Sequence, residues 1–380
     1  MGVTLRFPLE SSLGHLYLFD RLLPRQLLEL FPREFYLDLG EASGAVDLPP
    51  DSRVRLDCNK TTTEDPSLLY RSGLESLVEL SFDLDPNSAT RSTDPAILGD
   101  QGLGYLRQLS GLQALYLPDH DITDRGIKFL GALQELRRLD LNGTQVGDEA
   151  LEHLQLLPFL ETLDLSRTRI APPGFRRLGL MHGITKLSVA ATGATDLDLR
   201  QLGHIVGLKE LNIRSTNIAD RAFDEFGTPT SLEVLNVSET DLGDAGLASI
   251  GGLKYLRDLD LGSTHVTDQG LAALLPATNL ETLFLDETGI SDRSLAVLKD
   301  LPSLKRLSLF KTAITDQGLR ILSTMNGLSE LCLIETDISD VGLRSLEVLD
   351  QLEQLALWST AVTDAGRRRL ERALPDCDVG

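Results

Sequence analysis

The chain has little with which to staple itself together. Its 380 residues contain three cysteines, Cys58, Cys332 and Cys377. They form no CxxC pair and no dense framework, which excludes a disulfide scaffold and a zinc site. Aromatic residues make up 5% of the chain, so leucine, isoleucine and valine must fill the core. No run of about 18 apolar residues occurs, so no span of a membrane is predicted. The start, MGVTLRFPLE, has no apolar h-region of a signal peptide, and Arg6 breaks the myristoylation pattern. The expected location is cytoplasmic. Positive charge is also short: 36 Lys and Arg stand against 57 Asp and Glu, a net charge of -21. Such a surface repels phosphate backbones, so nucleic acid is an unfavoured partner and a basic protein segment a compatible one. Motifs of catalysis are missing as well. The histidines, His15, His120, His153, His182, His204 and His265, do not share a repeat offset. No GxxxxGK[ST], no GxGxxG opening a helix and no HExxH occurs. No catalytic residue, metal ligand or cofactor is assigned.

What is present is a repeat. Leucine or isoleucine recurs every 24 residues at Leu112, Leu136, Leu160, Ile184, Leu208, Leu232, Leu256, Leu280, Leu304, Leu328 and Leu352, here called position i. Apolar residues follow at i+3 and i+5, threonine at i+8 in ten consecutive units from Thr144 to Thr360, usually Asp at i+12, often Gly at i+14 and usually Leu at i+15. The unit reads LxxLxLxxTxITDxGLxxLxxLxx. LxLx alternates with period two, which predicts a short strand with one buried face. GLxxLxxL predicts a short helix, with Thr or Ser followed by Asp as its N-cap signal. One strand and one helix cannot bury their own apolar faces. Stacked units can, with a parallel sheet on one side and helices on the other. Helices are wider than strands, so the array is expected to curve with the sheet inside.

This pattern resembles the leucine-rich-repeat superfamily, whose mark is LxxLxLxxN, with threonine here where asparagine is usual. The TDxGL segment is similar to the 24-residue, bacterial, ribonuclease-inhibitor-like variety. The resemblance covers roughly 53–380. It implies an α/β fold, a right-handed solenoid or horseshoe with the parallel sheet concave and the helices convex, and protein binding as the usual role. It also implies that the i+8 threonines bond the neighbouring unit's backbone in the turn.

Before Leu112 the register is damaged. We divide the chain into 1–52, an N-terminal cap or small module; 53–111, degenerate repeats with a polar insertion near 85–95; 112–366, regular repeats; and 367–380, a C-terminal cap. In the first segment strands are expected at Val3–Phe7 and Phe35–Leu39 and a helix at Pro24–Phe31. At the end Cys377 and Val379 are expected to finish the sheet as a partial strand. The Asp ladder at i+12 is read as helix caps.

The residues at i+2, i+4 and i+6 face out of the sheet and are free of the folding constraint. At i+6 the last three units carry Phe310, Ile334 and Trp358, the one tryptophan of the chain, with Phe284, Cys332 and Ala356 at i+4 beside them. A contiguous exposed apolar patch marks an interaction site, and tryptophan is a favoured anchor. The bland alternative is that the C-terminal cap folds over Trp358. Asp258, Asp260, Asp286, Glu287, Glu330 and Glu335 surround the patch, which suits a partner with apolar anchors flanked by Lys or Arg, such as a basic amphipathic segment. A second, basic cluster comprises Arg138, Arg167, Lys186 and Arg214, with Asp140 and Asp164 interleaved. The expected function is non-catalytic binding of a partner protein by a receptor or scaffold subunit. The alternative is a GTPase-activating protein supplying a turn arginine, Arg167 or Arg169. Carbohydrate binding lacks a spread of aromatic platforms. Oligomeric state is not indicated.

Overall fold

Each 24-residue unit folds as its two periodicities require: a three-residue strand over i+2 to i+4, a tight turn, then one or two turns of helix from i+12. A computed structural model describes the backbone at 3–6, 14–19, 36–41, 45–48, 54–58, 62, 66, 69, 77–82, 98–226 and 231–380, and side chains of these residues from 54 onward except at 225. The chain divides into two compact units, Met1–Arg177 and Leu178–Gly380.

In the first unit the parallel ladder runs from Val54–Cys58 through Leu77–Ser81, Ala114–Tyr116 and Arg138–Asp140 to Thr162–Asp164. Gly14–Phe19 pairs antiparallel with both Val54–Cys58 and Tyr36–Glu41, and Val3–Arg6 pairs with Ala45–Leu48. Strands therefore occupy the two segments expected near the start, and Gly14–Phe19 and Ala45–Leu48 are additional ones. The expected helix Pro24–Phe31 and the insertion near 85–95 lie outside the described residues.

In the second unit the strands Lys186–Ser188, Glu210–Asn212, Val234–Asn236, Asp258–Asp260, Thr282–Phe284, Arg306–Ser308, Glu330–Cys332 and Gln354–Ala356 stack in parallel without a register shift. Asp378–Val379 adds a short final strand beside Gln354 and Leu355, where a partial strand was expected. The core is the leucine ladder: Leu283 and Leu285, Leu307 and Leu309, Leu331 and Leu333 are at most 3% exposed. Full burial of one leucine contributes roughly 1.5–3 kcal/mol. No unit could supply its own cover, so these leucines stabilise only as a stack. Among the described residues no helix is long and apolar enough to cross a membrane.

Two ladders bind differently from the expectation. The threonines do not reach the neighbouring unit. Each donates its hydroxyl to the i+5 carbonyl of its own unit, from Thr144 to Leu141 (2.7 Å) to Thr360 to Leu357 (2.8 Å). The chain doubles back here, bringing the i+5 carbonyl within reach of a β-hydroxyl three residues on.

The aspartates, in contrast, do reach across. Asp316 does not cap its own helix. Its carboxylate accepts both the Ser339 N–H and the Ser339 hydroxyl at 2.7 Å, one repeat onward. The hydroxyl oxygen so oriented accepts the Val341 N–H (3.2 Å) and caps Asp340–Leu343. Asp292 does the same for Thr315, and Asp340 for Thr363. Where the receiving residue has no hydroxyl, as at Gly147 and Ala219, the backbone N–H bond remains, at 2.5 and 2.8 Å. The i+14 glycine belongs to the same device: a Cβ at Gly342 would lie 2.3 Å from Asp316 Oδ1. Glycine is there to admit the preceding unit's aspartate, both its carboxylate and its Cα, which would lie 2.7 Å from that Cβ.

The turn after each strand holds a residue in the left-handed region at i+7, from Asp119 (φ 58°) to Ser359 (φ 57°), with glycine only at Gly143. Each such non-glycine residue costs roughly 1 kcal/mol. The cost is offset because the i+7 N–H then donates to the i+6 carbonyl of the next unit, as Glu287 does to Phe310 at 2.9 Å.

Candidate interaction surface

The sheet face is less free than the period-two reading holds. In the strands Val234–Asn236 and Asp258–Asp260 the i+4 side chain closes the turn: Asn236 Oδ1 accepts the Ser238 N–H and Asp260 Oδ1 the Gly262 N–H, both at 2.9 Å. Asp260 also takes the Asn236 amide at 2.9 Å. These polar residues belong to the fold as much as to the surface.

At Thr282–Phe284 the pattern changes. Phe284 replaces the turn-closing group and is 38% exposed. Asp286, at i+6, serves the next repeat's turn, accepting the Phe310 N–H (2.9 Å) and the Ser308 hydroxyl. Burial pushes the Asp286 carboxyl above the usual carboxylate range, further raised by Asp260 and Glu287 and opposed by those two bonds. Small residues follow at i+4, namely Ser308, Cys332 and Ala356. Beside Phe284 they line a shallow depression of about 240 Å³ that also touches Arg306, Glu330, Gln354, Asp378 and Gly380.

Of the apolar i+6 residues, Phe310 and Ile334 are half-buried and Trp358 is 60% exposed. The C-terminal segment does approach the indole. The Arg367 guanidinium lies 5.6 Å from the ring centroid, and a Cβ on Gly380 would lie 3.3 Å from Nε1. The indole is thus steadied and still open to solvent. The face brings together Phe284, Asp286, Phe310, Cys332, Ile334, Ala356, Trp358, Asp260 and Glu330 within one compact unit.

Its charges do not cancel. Lys186 pairs with Glu210 (2.9 Å), Arg214 with Glu239 (2.5 Å), Arg306 with Asp258 (3.1 Å) and Lys311 with Glu287 (2.8 Å). Arg306 is held a second time by Thr282, at 2.8 Å. Glu330 and Asp378, on the depression, have no cationic partner among the described residues. Arg306, Gln354 and Asp378 are absent from the sequence reading of this site. The signal was there, since i+2 shares the face with i+4.

The basic cluster is spent on pairs. Arg138 binds the buried Glu79, and Arg167 binds Asp119 at 2.6 Å. These two belong to the first unit, whereas Lys186 and Arg214 belong to the second. Of the thiols, Cys332 is half-buried on the depression, while burial raises those of Cys58 and Cys377 above the usual cysteine range. No group of His, Cys, Asp and Glu suited to a metal ion occurs among the described residues.

Repeat, register and parallel ladder define an α/β leucine-rich-repeat solenoid. The chain belongs to the family described as leucine-rich repeat region, which matches residues 91–365. Its fold is similar to that of an internalin from Listeria monocytogenes, at 22% identity over 74% of this chain and 85% of that one, TM-score 0.54. It is also similar to a leucine-rich-repeat protein of Leptospira interrogans, at 17% identity over 86% and 95% of the two chains, TM-score 0.51. No curated protein matches the chain by sequence.

Proposed function

We propose that the chain is a non-catalytic interaction module, a receptor or scaffold subunit, and that a partner protein docks on the sheet face of the Leu178–Gly380 unit. Leucine-rich-repeat folds commonly serve as protein-interaction modules. The observation that carries the reading is the coincidence, on one face of the last four regular strands, of exposed Phe284 and Trp358 with carboxylates that no cation of the face neutralises. Apolar side chains flanked by Lys or Arg complement both features, and such charge steers encounter and sets register. The GTPase-activating alternative gains nothing from Arg167, which is tied to Asp119.

The test is affinity capture from an extract of the source cells by the full chain and by Phe284→Glu and Trp358→Glu. Both substitutions are at exposed positions and leave the leucine ladder intact. A protein captured by the wild type and lost by both variants supports the docking face. A protein captured equally by all three rejects it.

A further inference from the structure

We infer that the depression beside Phe284 is a subsite for one lysine or arginine side chain of the docked partner. This rests on the docking reading above and specifies what the face recognises. At about 240 Å³ the depression falls below the roughly 300–1,000 Å³ of small-molecule sites, which fits one side chain entering from a larger surface. Its walls are divided as such a side chain requires. Phe284, Cys332 and Ala356 offer apolar surface to an alkyl stem, and long basic side chains bury their stems in this way. Glu330 and Asp378 offer carboxylates to the head group, and the Phe284 ring offers its face to a cation.

The charge balance fixes the sign. Arg306 is the one lining cation, and it is drawn off by Asp258 at 3.1 Å and Thr282 at 2.8 Å. Lys311, in the turn after Arg306–Ser308, is drawn off by Glu287 at 2.8 Å, and the Arg367 guanidinium is stacked 5.6 Å from the Trp358 ring centroid. No side chain of the described residues supplies the positive charge that Glu330 and Asp378 leave unmet, so the partner supplies it. An acidic or phosphorylated segment would meet two carboxylates, and a purely apolar one would desolvate them without compensation.

The test is selection from a synthetic decapeptide library by the full chain, with Glu330→Lys and Trp358→Glu run in parallel. The wild type is expected to enrich peptides with Lys or Arg at one position near an apolar residue. Glu330→Lys is expected to reverse that position to Asp or Glu. The best wild-type peptide should bind Glu330→Gln about tenfold more weakly, the scale of a lost charge-assisted hydrogen bond. It should also slow alkylation of Cys332. If wild type and Glu330→Lys select the same residues while Trp358→Glu selects nothing, the basic subsite is wrong and the docking face stands. If Trp358→Glu selects the same peptides as the wild type, or the wild type selects none, the docking face fails and the subsite with it.

Discussion

Two stretches of one sheet, built on the same repeat, treat their outward residues in opposite ways. Across Lys186–Ser188, Glu210–Asn212 and Val234–Asn236 the face is polar and settled: Lys186 holds Glu210, Arg214 holds Glu239, and Asn236 closes its own turn. From Thr282–Phe284 to Gln354–Ala356 the face carries exposed rings, small residues and carboxylates without cations. The leucine ladder behind both is the same, so the core does not require the difference. A solenoid separates the two jobs, one side of each strand packing the stack and the other open to change.

The comparison breaks most decisively at the rings. Phe284→Glu or Trp358→Glu should weaken binding of the captured partner by about 100-fold or more, the effect of losing a buried aromatic anchor. Arg214→Glu, on the settled stretch, should change it less than about threefold. Titration of purified partner by calorimetry reads both, and equal losses on the two stretches would erase the distinction.

A second substitution separates face from frame. Asp316→Ala should cost about 2–3 kcal/mol in urea unfolding, since Ser339 N–H and O–H lose an ionised acceptor. It should leave partner binding unchanged. Gly342→Ala should destabilise the wild type but cost less in the Asp316→Ala background, because its Cβ would meet both that carboxylate oxygen (2.3 Å) and the Asp316 Cα (2.7 Å), and only the first contact is removed. A coupling of about 1–2 kcal/mol in this cycle is expected, and additivity would refute the shared role.

His120 tests the frame where one repeat departs from threonine. It is buried, its Nδ1 accepts the Leu98 N–H (3.4 Å) and its ring meets Phe82 edge-on at 6.0 Å. Burial lowers its pKa below the ordinary histidine value, outweighing a Phe82 backbone bond and Asp119. A lowered folded pKa means that the unfolded chain binds the proton more readily. Stability from this group is therefore full above the unfolded pKa of about 6.5 and falls as pH drops below it. His120→Thr should flatten urea midpoints measured between pH 7.5 and pH 5; an unchanged slope would show that His120 is not the source. The smallest effect is expected at Ala191, left-handed at φ 51°. Ala191→Gly should raise the unfolding free energy by about 0.5–1 kcal/mol, and a loss would contradict the strain assigned to the turn.

Much of this was legible in the sequence, for definable reasons. A spacing of 24 residues held over eleven units leaves one way to bury Leu115, Leu139 and their successors, so the solenoid follows from periodicity alone. Composition also marked Phe310, Ile334 and Trp358, because large apolar residues at outward positions contradict the pattern around them. Direction was not legible. The sequence shows Asp316 beside a helix start but not that its carboxylate serves Ser339, one repeat onward, nor that Thr312 turns back to Leu309. The left-handed i+7 turn was hidden too, because Glu287, Lys311 and Ser359 are not residues that announce it. In the site, Asp286 reads as part of an acidic ring, yet it is half-buried and closes a turn.

The most direct measurement uses the thiol the face already carries. Cys332 is half-buried on the depression, whereas Cys58 and Cys377 are buried. With the captured partner at saturation, alkylation of Cys332 by a maleimide should slow by about tenfold or more while the other two thiols keep their rates. A Cys332 rate unchanged by saturating partner would place the partner elsewhere and contradict the docking face.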